Sequence, residues 1–273
     1  MLDYLIAIIA GIVQGIVEWL PVSSQGNLSM VLTILQVDPE IAVQLALFFQ
    51  VGTTISAATY YRDDIMTVFR TLPDWQPGTA YTGENAITSY ILVACLMTGI
   101  VGIPLYIFAV DLAGQVSGGV FIAAIGVLLI LTGLLQRSAE SVSMGGRERP
   151  TLLDSMLVGA TQGVAILPGI SRSGVTTSVL LFRSYEPPSA FRLSFLLSIP
   201  ASLGAAALTM VGAGGLPGIE LGPAITALVV SAAVGYVTIA TLMRLVERVP
   251  FSAVCFGLGG VAIVGGGAVA LLV

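Results

Sequence analysis

The sequence contains no histidine and no lysine, and all ten of its basic residues are arginine. Without an imidazole, any acid, base or metal ligand has to be a carboxylate, hydroxyl, amide, thiol or backbone group, and any fixed positive charge has to be a guanidinium. Charge itself is scarce, at 9% of residues against roughly a quarter in a soluble domain. The net charge of −5 excludes a strongly basic surface, so nucleic acid is not expected as a partner. The two cysteines, Cys95 and Cys255, both lie inside apolar runs, which excludes a disulfide framework and a metal-binding pair. Strand-like alternation is missing, as is any polar stretch long enough to fold alone. The first apolar run also lacks a basic leader and a small-residue cleavage site, so a cleaved signal peptide is not expected.

What is present is apolar length. Hydrophobic residues make up 56% of the chain and mean hydropathy is +1.00. Apolar segments fall near 2–20, 28–36, 41–61, 87–110, 116–136, 152–167, 174–184, 189–211, 219–243 and 250–272. This pattern predicts an all-α, polytopic membrane protein with membrane lipid as its surroundings. At about 1.5 Å per residue, segments 28–36 and 174–184 cannot cross a hydrocarbon core about 30 Å thick. They read as halves of two re-entrant helix hairpins, 2–36 and 152–184, which leaves six transmembrane helices.

Sliding the chain against itself by 148 positions pairs Gln14-Gly15 with Gln162-Gly163, Ser23 with Ser171, Gly26 with Gly174 and Asp38-Pro39 with Glu186-Pro187. Leu45 then meets Leu193, and Ala57-Ala58 meets Ala205-Ala206, without a gap. The reading is one membrane domain, 1–273, built from two repeats of about 1–136 and 150–273, each a hairpin followed by three spans. An odd number of crossings inverts the second repeat relative to the first. With six spans, Arg62, Arg70, Arg137, Arg147, Arg149, Arg183, Arg192, Arg244 and Arg248 all fall on one face, as the positive-inside rule asks of the cytoplasmic side. Eight spans would split them between faces. The expected placement is therefore multi-pass in the plasma membrane with both termini outside and the hairpin tips meeting near mid-membrane. Residues 62–85 read as a solvated cytoplasmic loop.

The polar residues concentrate at the hairpin tips. Gln14 and Glu18 are four apart, on one helix face, just before the break at Trp19-Leu20-Pro21-Val22-Ser23-Ser24-Gln25-Gly26-Asn27. Irregular polar backbone at this depth implies a lined cavity, although Trp19 also fits an interfacial aromatic anchor. In Pro168-Gly169-Ile170-Ser171-Arg172-Ser173-Gly174, Arg172 costs about 2.5 to 3.5 kcal/mol at mid-bilayer and needs a partner, either Glu18 or an anionic ligand. A guanidinium beside the helix that starts with Ser173-Gly174-Val175-Thr176 suits phosphate. Asn27 and Thr176 are further site candidates. Gln44 and Gln50 face either the cavity or a neighbouring helix. Gly257, Gly259, Gly260 and Gly265-Gly266-Gly267 read as small-residue faces that let helices approach closely.

These blocks, together with Ser194-Phe195-Leu196-Leu197 and Pro200, resemble the undecaprenyl-pyrophosphate phosphatase family, also known for bacitracin resistance, over essentially the whole chain. The resemblance implies an integral-membrane hydrolase that removes the terminal phosphate of a polyprenyl diphosphate and recycles a glycan carrier lipid. It places the site between two re-entrant hairpins and open to the extracytoplasmic side. By position, Glu18 matches a catalytic or metal-binding glutamate, Gln14 a glutamate-or-glutamine position, Ser24 a serine implicated in catalysis, and Arg172 the phosphate-binding arginine. Ser23, Asn27, Ser171, Ser173, Gly174 and Thr176 fall in the substrate-binding blocks. A divalent cation, magnesium or calcium, is the implied cofactor, with Glu18 and Gln14 as its ligands. The family motif normally has histidine where Asn27 stands. Asparagine bonds a phosphate oxygen but is neither base nor nucleophile, so attack falls to Ser24 or to a water activated by Glu18. The rival expectation is a polyprenyl-phosphate transporter or flippase of the same fold. The assembly is left open, a homodimer included.

Overall fold

The computed structural model describes residues 2–140, 145–246 and 251–272. Among these are eleven α-helices and no β-strand. The first hairpin is α1 (Leu2–Val17) and α2 (Ser24–Ile34); α3 (Pro39–Tyr60), α4 (Arg62–Thr71), α5 (Asn85–Gln115) and α6 (Gly118–Glu140) follow. The second hairpin is α7 (Leu152–Val164) and α8 (Arg172–Phe182), followed by α9 (Pro187–Gly212), α10 (Leu221–Val246) and α11 (Phe251–Leu272). Six of these, α3, α5, α6, α9, α10 and α11, are long and apolar enough to cross a membrane. The protein is a polytopic all-α membrane protein. At 11 residues each, α2 and α8 reach only about 17 Å.

Local chemistry sets the helix starts. Ser23 and Ser171 cap α2 and α8, each accepting the N–H of a glycine three residues on, at 3.2 Å. Pro39 and Pro187 open α3 and α9, where a missing N–H costs nothing. Both pairs are 148 residues apart. The same offset governs packing. A Cβ on Gly11 or Gly15 of α1 would strike α10, 2.8 Å from the Ala227 carbonyl and 2.7 Å from Val234 Cβ. A Cβ on Gly159 or Gly163 of α7 would strike α5, 2.7 Å from Ala94 Cα and from Val101 Cβ. Each hairpin's first helix is thus seated by two glycines on a span of the other half. Between the halves, α6 and α11 cross at Gly126 and Gly259, where each Cβ would meet the other's carbonyl at 2.6 to 2.7 Å. Of the C-terminal glycines read as packing faces, Gly259 and Gly266 meet α6, whereas Gly257, Gly260, Gly265 and Gly267 face open space.

Ion pairs and hydrogen bonds gather several of the arginines at one end of the bundle. Asp154, fully buried, receives Arg183 Nε at 2.6 Å, Tyr185 OH at 2.8 Å and Thr151 Oγ1 at 2.7 Å, with Arg147 3.6 Å away. Arg192 pairs with Asp64 of α4, and Tyr81 donates to Ser155 at 3.1 Å, which joins the 62–85 stretch to the base of α7. That stretch is not the plain loop expected from its polarity. Asp63 and Asp64 in the first turn and Arg70 in the last suit the helix dipole of α4, whose outer side carries Met66 and Phe69. Arg248 lies outside the described residues.

Burial alone would raise the Asp154 carboxyl, but hydrogen bonds from Arg183, Thr151 and Tyr185 outweigh it and hold the group below its usual range. A depressed carboxylate contributes stability above its unfolded pKa and loses it as pH falls through the folded one. Thermal unfolding between pH 7 and pH 3 is therefore expected to show a midpoint that drops at the acid end. In Asp154→Asn the midpoint starts lower and the acid drop is smaller.

Candidate active site

After Val17 the chain leaves α1 and turns through Trp19, which is 1% exposed and donates its indole N–H to the Gly235 carbonyl at 3.1 Å. The ring is a core anchor against α10 and does not sit at a lipid interface. Its burial fixes the direction in which the last turn of α1 points. Gln14 and Glu18 both face inward there, and Gln14 Nε2 donates to Glu18 Oε2 at 2.6 Å. Ser24, the first residue of α2, donates its hydroxyl to the same oxygen at 2.7 Å. The other carboxylate oxygen, Oε1, is paired with the guanidinium of Arg172, the first residue of α8. Glu18 is 5% exposed, so this is a nearly dry carboxylate held by three donors from both hairpins.

The tips that carry these groups are in contact. Ser23 adopts a left-handed conformation, φ 60°, and its Oγ accepts N–H bonds from Gly26 and Gly169, both at 3.2 Å, while donating to the Ile170 carbonyl at 3.3 Å. Gln25 donates to the Ile166 carbonyl at 2.8 Å. Gly169, at φ 103°, makes the turn of the second tip, and a Cβ on Gly26 would lie 2.6 Å from its nitrogen. Backbone cannot yield as a flexible side chain does. Gly26→Ala is accordingly expected to destabilise by about 1–3 kcal/mol, seen as a lower thermal unfolding midpoint; an unchanged midpoint would mean that the tips stand apart.

The structure brings together Gln14, Glu18, Ser23, Ser24 and Arg172. The remaining candidates do other work. Asn27 turns back on its own hairpin, donating to the Val22 and Ser23 carbonyls at 2.7 and 2.9 Å. Ser171 caps α8 and lies 3.4 Å from the Ser173 hydroxyl, Gly174 gives its N–H to that cap, and Val175 N–H bonds the Ser171 carbonyl. The amides expected to hold an anion after Ser173 are therefore engaged, and the guanidinium is the group left to meet one. Thr176 bonds Ser194 of α9 at 2.6 Å and ties α8 in place.

Behind the tips, Arg172, Ser23, Ser24 and Gln25 form one wall of a cavity of about 50 Å³ whose far wall includes Gln50, Thr98, Gln162 and Ser202. Gln50 faces this cavity and accepts the Ser202 hydroxyl at 3.1 Å. Thr98, Gln162 and Ser202 were not read as site residues from the sequence. The available signal was the register that pairs Gln162 with Gln14.

Residues 7–261 match the family model described as bacitracin resistance protein BacA. The chain is 46% identical over 268 residues to the undecaprenyl-diphosphatase of Haloarcula marismortui, covering 98% of each chain. The protein of the same name from Methanococcoides burtonii is 39% identical over 262 residues, 95% of this chain and 97% of the other. That of Pyrobaculum islandicum is 35% identical over 268 residues, 97% of each.

Proposed function

The chain belongs to the BacA bacitracin-resistance family, and we propose that it hydrolyses undecaprenyl diphosphate to the monophosphate and orthophosphate, returning the carrier lipid to use. The observation that carries the mechanism is Glu18 held between the Ser24 hydroxyl and the Arg172 guanidinium where the tips meet.

The terminal phosphate competes with Glu18 for Arg172. A guanidinium fork fits two phosphate oxygens, so an arriving diphosphate draws Arg172 off the carboxylate. Glu18, released from Arg172, keeps the Ser24 hydroxyl as its donor and is placed to take that proton. Ser24 Oγ, or a water in its place, attacks the terminal phosphorus as Glu18 takes the proton. The bridging P–O bond breaks, and the electron pair leaves with the lipid monophosphate. If Ser24 is the attacking group, water then cleaves the phosphoserine and releases orthophosphate. Little covalent assistance is needed, since positioning and charge compensation do most of the work in phosphoryl transfer.

The residues present fit a hard divalent cation. Gln14 Nε2 bonds the Glu18 carboxylate and lies 3.4 Å from Thr53 Oγ1 on α3, while its buried Oε1 has no hydrogen-bond partner; turning the amide over would make Gln14, Glu18 and Thr53 an all-oxygen donor set. Among the described residues no group of three or more His, Cys, Asp or Glu side chains comes together, so Glu18 would be the one charged protein ligand of such a cation. Glu18 and Gln14 would hold magnesium or calcium there, and the chemistry it would supply is compensation of the diphosphate charge. Arg147, Arg183 and Arg192 gathered at the opposite end of the bundle support a cytoplasmic position for that end and an outward opening for the site. The 148-residue correspondences support two inverted repeats.

The test is orthophosphate release from undecaprenyl diphosphate by the purified chain in detergent, with magnesium, calcium and a chelator compared. Release that stops on chelation is expected. No release under any cation would overturn the assignment, and lipid translocation without release would favour a carrier.

A further inference from the structure

The break between α1 and α2 leaves backbone carbonyls that no helix satisfies, and inside a bundle of apolar spans each one needs a partner. Around Pro21, Val22 N–H bonds the Leu20 carbonyl at 2.8 Å, and Asn27 takes the Val22 and Ser23 carbonyls. The Pro21 carbonyl is left over. It accepts the side-chain amide of Gln136 of α6 at 2.5 Å and the thiol of Cys255 of α11 at 3.5 Å, both residues buried. One turn earlier on the same face of α6, Thr132 serves the second tip. Its hydroxyl donates to the Gly169 carbonyl at 3.4 Å and accepts the N–H of Ser171, the residue before Arg172, at 3.3 Å. Gly169 itself rests on α6, since a Cβ there would lie 2.7 Å from the Ile125 carbonyl. A single span outside both hairpins therefore holds the chain midway between Glu18 and Ser24 and again next to Arg172.

We infer that Gln136 and Thr132 are positioning residues that keep the base and the phosphate-binding arginine in register across α6, an inference that rests on the phosphatase reading. The argument turns on the arm 17–22, which carries Glu18. Among the described residues this arm has one bond to the second tip, the Glu18–Arg172 pair; Ser23 and Gln25, which bond that tip directly, stand at the α2 end of the break. A diphosphate that takes Arg172 opens the pair. Trp19 holds the arm to α10, so the bond from Gln136 to Pro21 is then its remaining polar tie to the helix that seats the second tip. Gln136 is thus redundant in the resting site and needed in the loaded one. Thr132 acts elsewhere, on the start of α8, and sets where the guanidinium meets phosphate.

Simple damage to α6 would give both variants one kinetic signature, whereas positioning separates them. Per folded molecule, Gln136→Leu should lower kcat for undecaprenyl diphosphate about ten- to a hundredfold with KM within about twofold, the scale of a small misplacement of reacting groups. Thr132→Val should raise KM about tenfold, and Thr132→Ser, which keeps the hydroxyl, should stay near the parent. A readout without turnover uses the native thiol of Cys255, which is fully buried and packs with Val17, Leu20 and Val22 of the arm. In the full chain carrying Cys95→Ser, alkylation by a membrane-permeant maleimide should be slow in the parent, in Gln136→Leu and in Arg172→Ala, because each keeps one tie. In Gln136→Leu with Arg172→Ala it should rise about tenfold or more, as local opening uncovers the thiol. Inorganic pyrophosphate should speed labelling of Gln136→Leu and leave the parent unchanged. An unaltered kcat in Gln136→Leu, one shared signature for Gln136→Leu and Thr132→Val, or a double variant no more reactive than the single ones would each overturn the positioning role. Those results beside normal hydrolysis by the parent would leave the phosphatase reading standing. The expected labelling pattern in a chain that releases no orthophosphate would keep the α6 tie and remove the phosphatase reading.

Discussion

Replacing Arg172 by alanine is expected to lower kcat/KM for undecaprenyl diphosphate by about a thousandfold or more, the scale set by guanidinium groups that meet a transferring phosphoryl group. The chain has no lysine or histidine to substitute, and among the described residues Arg172 is the only cation paired with Glu18. The tips themselves do not depend on this side chain, because Ser23 and Gln25 bond the second tip's backbone directly. The fold should therefore persist. Its stability should fall, since Glu18 at 5% exposure loses its countercharge, and stranding one partner of a buried pair costs up to about 3–5 kcal/mol. The double variant Arg172→Ala with Glu18→Gln distinguishes the two effects: stability should recover while activity stays lost. Recovery of activity in the double variant would remove Arg172 from phosphate binding. Arg172→Lys should recover part of the activity at most, because an ammonium keeps the charge and loses the two-pronged geometry.

Glu18→Gln is the second large effect, and the two kinetic constants should separate. The amide cannot take the Ser24 proton, so kcat should fall about 10²- to 10⁴-fold, the usual range for loss of a positioned base. KM should hold steady or fall, because the glutamine no longer competes with the diphosphate for Arg172 and the guanidinium is free from the outset. A mutation at a cation ligand alone would instead raise KM and be offset by added cation. Measuring both constants over a range of magnesium concentrations decides between these. If excess magnesium restores kcat, Glu18 serves the cation and not the proton.

Much of this architecture was legible because membrane helices obey simple constraints. Short apolar segments could not span, one arginine face required six crossings, and the 148-residue register located Ser24 and Arg172 at equivalent helix starts, where the structure has them. Gln14 next to Glu18 follows from helical spacing alone. What escaped the sequence depends on tertiary choices. Asn27 sits one turn into α2, yet the left-handed turn at Ser23 leaves two carbonyls within its reach, and it bonds those. Gln162 looked like a plain repeat of Gln14 until Ile166 replaced the carboxylate and Thr98 of α5 came within reach of its amide. The Asp154 cluster draws on residues before and after the second hairpin and has no counterpart in the first repeat, so neither periodicity nor register announced it. Helix α4 was hidden by the polarity of its first turn, the feature that stabilises it.

The central claim is that two opposed hairpin tips form one site that breaks the terminal anhydride bond of the lipid by attack at the outer phosphorus. It is tested most directly by turnover in water enriched in oxygen-18, with mass analysis of both products. The account predicts label in the orthophosphate and none in the undecaprenyl monophosphate, with neither product formed by Arg172→Ala. Label in the lipid monophosphate, or undiminished turnover by that variant, would contradict it.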